Sequence, residues 1–371
     1  MTDLHKLLDT HAAEGSPDVV VGTVVDVRGS AYRLPGARVL VQANGQRTGM
    51  ISGGCLDKHL GRRAWALTEA GPNLVHFDTR GTPLNPRGPY GSGCDGVVEV
   101  FLERWGTGAL SLASLARRAQ QESCDIDVGT IFAGPDGLVG KRVTRDGHDL
   151  GVPDALVAQI RRELRPRRRS KSIDVGDCRV FVETIRPALT LTVFGAGDDV
   201  QPLARMASAM GWRVQVADRR SLMAHAKRFP TARVLTANTI AELFEATQIG
   251  PHSHILVMTH DYDDDLELLP HLLASPAAFI GLMGPRRRTM QLIQALVASG
   301  QAPSKQDLSR VQTPVGVDLG ADAPEEVALS VLSGLVAFRN NASGGLLRDK
   351  PGAIHDPSPR DLQVQAASTP L

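Results

Sequence analysis

The strongest constraint on the fold is a regular alternation of β-rich and helical segments that begins near residue 189. Each short β-branched run is followed by a stretch with apolar residues at helical spacing. The β-rich runs are LTLTVF (189–194), WRVQVADRR (212–220), SHILVMTH (253–260) and AFIGLMG (278–284), and the clearest helices begin near Val200, Pro285 and Pro324. Strands that alternate with helices form parallel sheets covered by helices on both faces. The sequence therefore predicts a C-terminal Rossmann-like domain with a doubly wound parallel sheet.

The turn after the first of these strands carries a nucleotide-binding pattern. In VFGAGDDV, Gly195 and Gly197 stand where a Rossmann loop turns tightly and approaches a pyrophosphate. Asp218 follows 21 residues after Gly197, at the position that binds a ribose hydroxyl. These three residues are therefore candidate cofactor-binding residues.

Two features of the same segment disfavour a dinucleotide. The third glycine position of the pattern is occupied by Val200. Asp198 and Asp199 are predicted to cap the helix and to occupy the positive end that a phosphate would otherwise use. NAD(P) is therefore the less favoured cofactor of this domain.

A second candidate site lies in THDYDDDLE (259–267), which follows a β-rich run and opens a helix. His260 lies at the carboxyl end of the strand, where doubly wound sheets build their sites, and is a weak candidate for cofactor binding. The acidic residues could hold a metal ion, but consecutive carboxylates are favoured at a helix start in any protein. Asp263 and its neighbours are accordingly predicted to cap the helix, and no metal site is expected.

The first half of the chain has the pattern of a mixed α/β domain. The predicted strands cover 18–27, 37–45, 96–105 and two runs within 128–144, and the second of them ends in an Asn-Gly hairpin turn. Apolar residues at helical spacing predict a helix from Cys55 to Gly71.

That helix begins at a glycine turn. In SGGCLDKHL, Gly53 and Gly54 precede Cys55, which falls in the first helical turn. Free backbone N–H groups there favour an anion, and the helix dipole favours a thiolate. A small apolar residue packed under the turn is an equally good interpretation of Cys55. Both interpretations stay open from the sequence.

A second cysteine stands in GPYGSGCDG (88–96), a loop that precedes a predicted strand. Glycine adds no packing area and costs extra backbone entropy to order, so a glycine-rich loop is typical of close approach to a ligand. Gly93 and Cys94 are therefore candidate cofactor-binding residues, because a thiol is a soft donor for a metal or for sulfur transfer.

Three arginines lie among the glycines of DVRGSAYRLPGAR. Arg28, Arg33 and Arg38 have the chemistry to bind a phosphate-bearing ligand, and Arg28 is a candidate for that role. Solvated arginines at strand ends are the alternative interpretation.

Composition restricts the class of protein. The net charge of +1 gives no indication of nucleic-acid binding. The N-terminus lacks the apolar run of a secretory signal, and no window approaches the roughly 18 apolar residues of a membrane span. A cytoplasmic location with no membrane partner is expected. Cys124 and Cys178, interpreted as surface-turn and strand-edge residues, are expected to have no chemical role.

The combined motifs resemble a known family. The chain contains, in order from about residue 15 to about residue 340, the segments VVDVRGSAYRLPGARVLV, GMISGGCLD, GSGCDG, LTVFGAGDDV, VQVADRR, VMTHDYDDDL, FIGLMGPRRR and PVGVDLGADAPEEVALSVLSGLVA. Together they are similar to the XdhC/CoxI family of xanthine dehydrogenase accessory proteins. The resemblance implies a maturation factor that holds the molybdenum cofactor, helps it receive its terminal sulfur and delivers it into a molybdenum hydroxylase.

The resemblance also implies an architecture and a set of site residues. It divides the chain into an N-terminal cysteine-bearing domain (1–187) and a Rossmann-like domain (188–340), followed by a tail (341–371) with little to bury. The family's cysteine-glycine loop falls on Cys94, and its Gly-Gly-Cys turn ends at Cys55. Two residues depart from the family pattern: Asp198 replaces a histidine, and Asp95 replaces a glycine beside the thiol, where its charge disfavours a thiolate.

Three functions follow as hypotheses. The leading one is a non-enzymatic delivery protein for the molybdenum cofactor, whose partners are a molybdenum hydroxylase and a cysteine desulfurase, and which can form a homodimer. The second is an NAD(P)-dependent oxidoreductase that uses the Rossmann domain. The third is a sulfurtransferase that carries a persulfide on Cys94 or Cys55.

Overall fold

The computed structural model describes residues 2–14, 18–81, 85, 88–90, 96–106, 108–167 and 169–350. The chain divides into two compact units, Met1–Pro187 and Ala188–Leu371. Residues 351–371, which form most of the predicted tail, lie outside the described residues, as do Gly93, Cys94 and Asp95. No helix in the described ranges is both long and apolar enough to cross a membrane.

The first unit is a mixed α/β structure. Its described elements are α1 (Thr2–Glu14), β1 (Val19–Gly29), β2 (Arg38–Gln42), β3 (Arg47–Gly49), α2 (Cys55–Leu67), β4 (Asn73–Asp78), β5 (Gly96–Arg104), α3 (Leu112–Glu122), β6 (Ile126–Ala133), β7 (Arg142–Thr144), α4 (Asp154–Glu163), β8 (Lys171–Val175) and β9 (Cys178–Ile185). They form a five-stranded antiparallel sheet of order β3-β2-β1-β5-β4 and a four-stranded antiparallel sheet of order β7-β6-β9-β8.

The five-stranded sheet is covered on both faces. Helix α2 packs on one face through Leu56, Leu60 and Ala64, which join the valines of β1, β2 and β5 in one buried cluster. The opposite face meets the four-stranded sheet through a cluster of Val25, Phe101, Phe132 and Phe181. Alternate residues of β5 therefore point to different layers, as strand geometry requires.

Some local predictions for this unit are corrected by the structure. Helix α2 ends at Leu67 rather than Gly71, because the Thr68 hydroxyl donates to the Ala64 carbonyl and competes with a further turn of helix. Cys178, interpreted as a strand-edge residue, is only 4% exposed and begins β9, which pairs with strands on both sides. The predicted hairpin turn at Asn44 lies between β2 and β3.

The second unit confirms the predicted doubly wound sheet. Its described elements are β10 (Thr190–Phe194), α5 (Val200–Ala209), β11 (Arg213–Ala217), β12 (Arg233–Leu235), α6 (Ile240–Ala246), β13 (Ser253–Val257), α7 (Tyr262–Ala274), β14 (Phe279–Leu282), α8 (Arg286–Ala298), α9 (Lys305–Leu308), β15 (Val311–Gln312), α10 (Pro324–Asn340) and a short 3-10 turn (Leu347–Asp349). The parallel sheet has the order β12-β11-β10-β13-β14-β15, which is the Rossmann order 3-2-1-4-5-6 within the unit.

Two apolar clusters bury the faces of this sheet. One contains residues of α5 and α10, and the other contains residues of α6, α7 and α8. The strand order reverses between β10 and β13, so the crevice at the carboxyl ends of these two strands is the place where such folds bind ligands.

Candidate functional site

One end of the five-stranded sheet gathers most of the N-terminal candidates. Gly29, the last residue of β1, pairs with Gly96, the first residue of β5, and Asp78 at the end of β4 pairs with Val97. Strand β3 ends toward the same side and leads within six residues to Cys55 at the start of α2. The glycine turn before α2 and both sides of the Cys94 loop therefore belong to one end of this sheet.

The glycine turn is shaped by one buried carboxylate. Asp57 is 4% exposed, and its two oxygens accept from the backbone N–H groups of Ile51 (2.7 Å) and Ser52 (3.0 Å). The Ser52 hydroxyl donates to the same carboxylate at 2.5 Å and accepts from the backbone N–H groups of Gly54 (3.0 Å) and Leu56 (3.2 Å). This network fixes the chain entering α2 without occupying the outer side of the turn.

That outer side is open. Gly54 has a φ of 117°, a conformation that favours glycine, and a Cβ added to Gly53 or Gly54 would meet no heavy atom within 4 Å. Cys55 is partly exposed, packs against the margin of the α2 core, and its thiol lies 3.9 Å from the Ser52 hydroxyl. The turn therefore leaves room for a ligand beside a thiol and the N-terminus of a helix.

The segment with Gly93, Cys94 and Asp95 lies outside the described residues, but both of its flanks are placed. Tyr90 packs edge-on against Phe77 (ring centroids 5.7 Å apart) and His59 (6.3 Å), and His59 lies one turn after Cys55 on α2. On the other flank, the Gly96 carbonyl accepts from both the backbone N–H (2.9 Å) and the hydroxyl (2.7 Å) of Thr79.

The arginines of the first unit are placed differently from one another. Arg28 is 65% exposed and donates to Glu99 at 3.0 Å, on the face of the sheet opposite α2. Arg38, expected to be a phosphate ligand or a solvated strand-end residue, is instead 2% exposed and paired with the buried Glu183 at 2.5 Å. The prediction for Arg38 is wrong because its partner is 145 residues away, on the other sheet.

In the second unit, the glycine turn after β10 is tightly packed. Gly195 has a φ of 119°, and a Cβ there would lie 2.1 Å from the Met258 carbonyl oxygen at the end of β13. A Cβ on Gly197 would lie 2.4 Å from Oδ1 of Asp199, so that carboxylate lies directly over the position where a pyrophosphate approaches a Rossmann loop.

Asp218 is engaged within the protein. Its Oδ2 accepts from the Ala196 backbone N–H (2.8 Å) and Arg220 Nη2 (2.7 Å), and its Oδ1 accepts from Arg220 Nε (2.9 Å) and the Arg220 backbone N–H (2.8 Å). Burial alone would raise the pKa of Asp218, but the hydrogen bonds from Arg220 and Ala196 outweigh it and hold the pKa below its ordinary value. A carboxylate has about four acceptor positions, so none is left for a ribose, and these residues do not fit NAD(P).

The predicted capping by Asp198 and Asp199 is wrong. Asp199 stands at the N-cap of α5 without a side-chain capping bond, because its Oδ2 lies 3.0 Å from Nε2 of His260. Asp198 accepts from Arg228 Nη2 at 2.7 Å. Long-range partners on other loops therefore replace the local cap.

His260 joins the two loops at the switch point. It is 58% exposed and has a φ of 61°, which is uncommon for a residue with a side chain. The next residue, Asp261, rather than Asp263, caps α7 by accepting from the backbone N–H groups of Asp263 (3.0 Å) and Asp264 (3.1 Å). Within the described ranges, no three His, Cys, Asp or Glu side chains are grouped as a metal site requires.

Several residues of the first site were missed by sequence reasoning. Ser52, Asp57 and Thr79 build the turns, and His59 and Tyr90 border the Cys94 segment. Asp57 had a local signal, since an acidic residue in the first turn of a helix is a common N-terminal feature. The contacts of Thr79 and Tyr90 had none, because they depend on the pairing of distant strands.

The fold and these sites define a protein with two parts, a mixed α/β unit bearing an open glycine-cysteine turn and a Rossmann unit whose ribose acceptor is saturated. The family model described as XdhC and CoxI family matches residues 12–78, and the model described as XdhC Rossmann domain matches residues 191–335. The chain is 30% identical over 92% of its length, and 99% of the relative's, to a probable xanthine dehydrogenase subunit of Bacillus subtilis (strain 168). The chain belongs to the XdhC and CoxI family.

Two further proteins are similar over most of the chain. The molybdenum cofactor insertion chaperone PaoD of Escherichia coli (strain K12) is 22% identical over 91% of this chain and 90% of its own. A crystal structure described as a xanthine dehydrogenase of Bacillus halodurans is 27% identical, covers 92% of this chain and 96% of its own, and superposes with a TM-score of 0.74. The likeness therefore extends across both units.

Proposed function

We propose that this protein is an accessory protein that binds the molybdenum cofactor, assists its sulfuration and delivers it into a molybdenum hydroxylase of the xanthine dehydrogenase type. The observation that carries the proposal is the arrangement at one end of the five-stranded sheet, where the open turn at Cys55 and both flanks of the Cys94 segment come together. The similarity to an insertion chaperone over 91% of the chain supports the same role.

The residues at this end suit the chemistry of the cargo. The cofactor carries an anionic phosphate and sulfur bound to molybdenum, and the N-terminus of α2 offers a positive dipole end beside exposed glycines. Thiolates are soft ligands and can also carry sulfur. Cys55 and Cys94 would contact the molybdenum end, and a cysteine desulfurase in the cytoplasm would supply the sulfur.

The alternative role as an NAD(P)-dependent oxidoreductase is not favoured, because the four acceptor positions of Asp218 are used within the turn. The persulfide role remains part of the proposal as a way to assist sulfuration. Cyanide-releasable sulfur on the protein after incubation with a cysteine desulfurase would support that step, and its absence would contradict it.

Delivery is tested by activating an apo-enzyme. Apo-xanthine dehydrogenase is mixed with this protein, purified from a host that makes the cofactor, and xanthine oxidation is followed over time. Activation is expected with the wild type and should fall at least several-fold with Cys94→Ala or Cys55→Ala. Cys124→Ala is the matched control, because Cys124 lies beyond α3, outside this end of the sheet. Equal activation with and without the protein would contradict the proposal.

A further inference from the structure

We propose that the exposed side of α2 is a docking surface for an acidic protein surface, that of the apo-hydroxylase that receives the cofactor. This inference rests on the proposed function and adds to it the surface that the partner uses. The basic surface of α2 consists of Arg47, Lys58, Arg62, Arg63 and Arg104, all of them exposed.

The five cations lie on and beside one helix. Lys58, Arg62 and Arg63 belong to α2 itself. Arg47 approaches the middle of the helix, with its Cδ 3.0 Å from the position of a Cβ on Gly61. Arg104 donates to the Trp65 carbonyl at 2.9 Å and lies 3.8 Å from the centroid of the Trp65 ring.

These charges are not compensated locally. Among the residues that the structure describes, no carboxylate lies within ion-pair distance of any of the five. Asp57, the acidic residue in the first turn of α2, is buried and accepts from its own turn. The whole chain has a net charge of only +1, so the excess of positive charge is a local property of this surface.

The arrangement fits a protein better than a small anion. The three cations of α2 are spaced along the helix, Lys58 and Arg62 about 6 Å apart in rise, and do not converge on one point as phosphate ligands do. Four of the five are arginines and surround the partly exposed Trp65, and arginine and tryptophan are enriched in protein interfaces. A net charge of +1 differs from the strongly basic character of domains that bind nucleic acids.

The position of the surface connects it to the proposed site. Helix α2 begins at Cys55, and Lys58 follows within one turn. The surface from Cys55 to Trp65 extends about 15 Å along the helix. A partner docked on the basic surface would therefore lie directly beside the Cys55 turn, where the cargo leaves.

The test measures binding of the full-length protein to immobilised apo-xanthine dehydrogenase over a range of salt concentrations. The double variant Arg62→Glu/Arg63→Glu is expected to bind at least about 10-fold more weakly at low salt and to show a flatter salt dependence. Its thermal unfolding and its pterin content should match the wild type. The matched control is Arg286→Glu/Arg287→Glu, an adjacent exposed pair on α8, which should bind like the wild type.

Three outcomes would overturn the inference. Equal binding by the wild type and Arg62→Glu/Arg63→Glu, with pterin retained in both, would refute the docking surface and leave the proposed function intact. Tighter binding of the wild type to duplex DNA than to the apoenzyme at physiological salt would assign the basic surface to a nucleic acid. A wild type that holds no pterin and binds no apoenzyme would refute the proposed function and this inference with it.

Discussion

The backbone N–H of Ala196 donates a hydrogen bond of 2.8 Å to Oδ2 of Asp218, which ties the glycine turn to the end of the neighbouring strand. Arg220 fills the other acceptor positions of the same carboxylate. A ribose could bind only by displacing one of these donors, and a buried donor left unsatisfied costs about 1–3 kcal/mol. We therefore expect calorimetry to detect no binding of NADH at about 1 mM. Saturable binding tighter than about 0.1 mM, abolished by Asp218→Asn, would contradict this account.

The turn before α2 depends on Asp57. Replacing Asp57 with Ala removes the acceptor for two backbone N–H groups and the Ser52 hydroxyl. We expect the free energy of unfolding, measured with urea, to fall by about 2–3 kcal/mol. Asp154→Ala is the control, since Asp154 is an exposed carboxylate in the first turn of α4, and it should change stability by less than about 0.5 kcal/mol. Similar losses in the two variants would show that the buried network is not the cause.

The buried pair of Arg38 and Glu183 should respond asymmetrically to substitution. Arg38→Met leaves Glu183 buried without its charge partner and is expected to destabilise the protein by about 3–5 kcal/mol. Arg38→Met/Glu183→Leu removes both charges and should recover most of that loss. Arg80→Met, which breaks an exposed pair, should leave the denaturation midpoint unchanged. A double variant no more stable than Arg38→Met would contradict this explanation.

His254 makes the second unit sensitive to mild acid. Burial lowers the pKa of His254 from 6.5 to about 4, so the folded protein keeps this ring neutral. Between pH 6.5 and pH 4 the unfolded chain binds a proton that the folded state refuses, and stability is lost as the pH falls through this window. From pH 7.5 to pH 5.5 the loss from this residue should be about 1 kcal/mol.

That contribution is isolated by comparing variants. His254→Phe keeps a ring beside Phe279 and Phe338 and cannot be protonated, so its stability should fall less between pH 7.5 and pH 5.5 than that of the wild type. His225→Gln, at an exposed position, should keep the wild-type pH dependence. Parallel pH profiles for wild type and His254→Phe would refute the assignment.

Local patterns predicted the Rossmann unit because helix and strand periods are properties of short segments. The run from Val200 and the strand before Gly195 formed as expected, with the predicted parallel order. The chemistry at the carboxyl ends of the strands was less predictable. Asp199 was expected to cap its own helix, but its partner His260 is 61 residues away, and no local pattern contains that contact.

The first unit shows the same division. The strand containing Arg38 was predicted, whereas the burial of this arginine depends on a second sheet whose strands were not recognised in KSIDV and CRVFVETI. The glycine turn before Cys55 was recognised, and the carboxylate of Asp57 that holds it was not. The role of Cys94, which lies outside the described residues, stays a prediction.

The central claim is that the Cys55 and Cys94 end of the first unit holds the molybdenum cofactor. The most direct measurement is the pterin and molybdenum content of the protein freshly purified from a host that makes the cofactor. The account predicts that the wild type and Cys124→Ala copurify with molybdopterin, and that Cys94→Ala and Cys55→Ala lose most of it. Equal pterin content in the wild type and Cys94→Ala would contradict the role of that thiol, and a wild type free of pterin would contradict the claim as a whole.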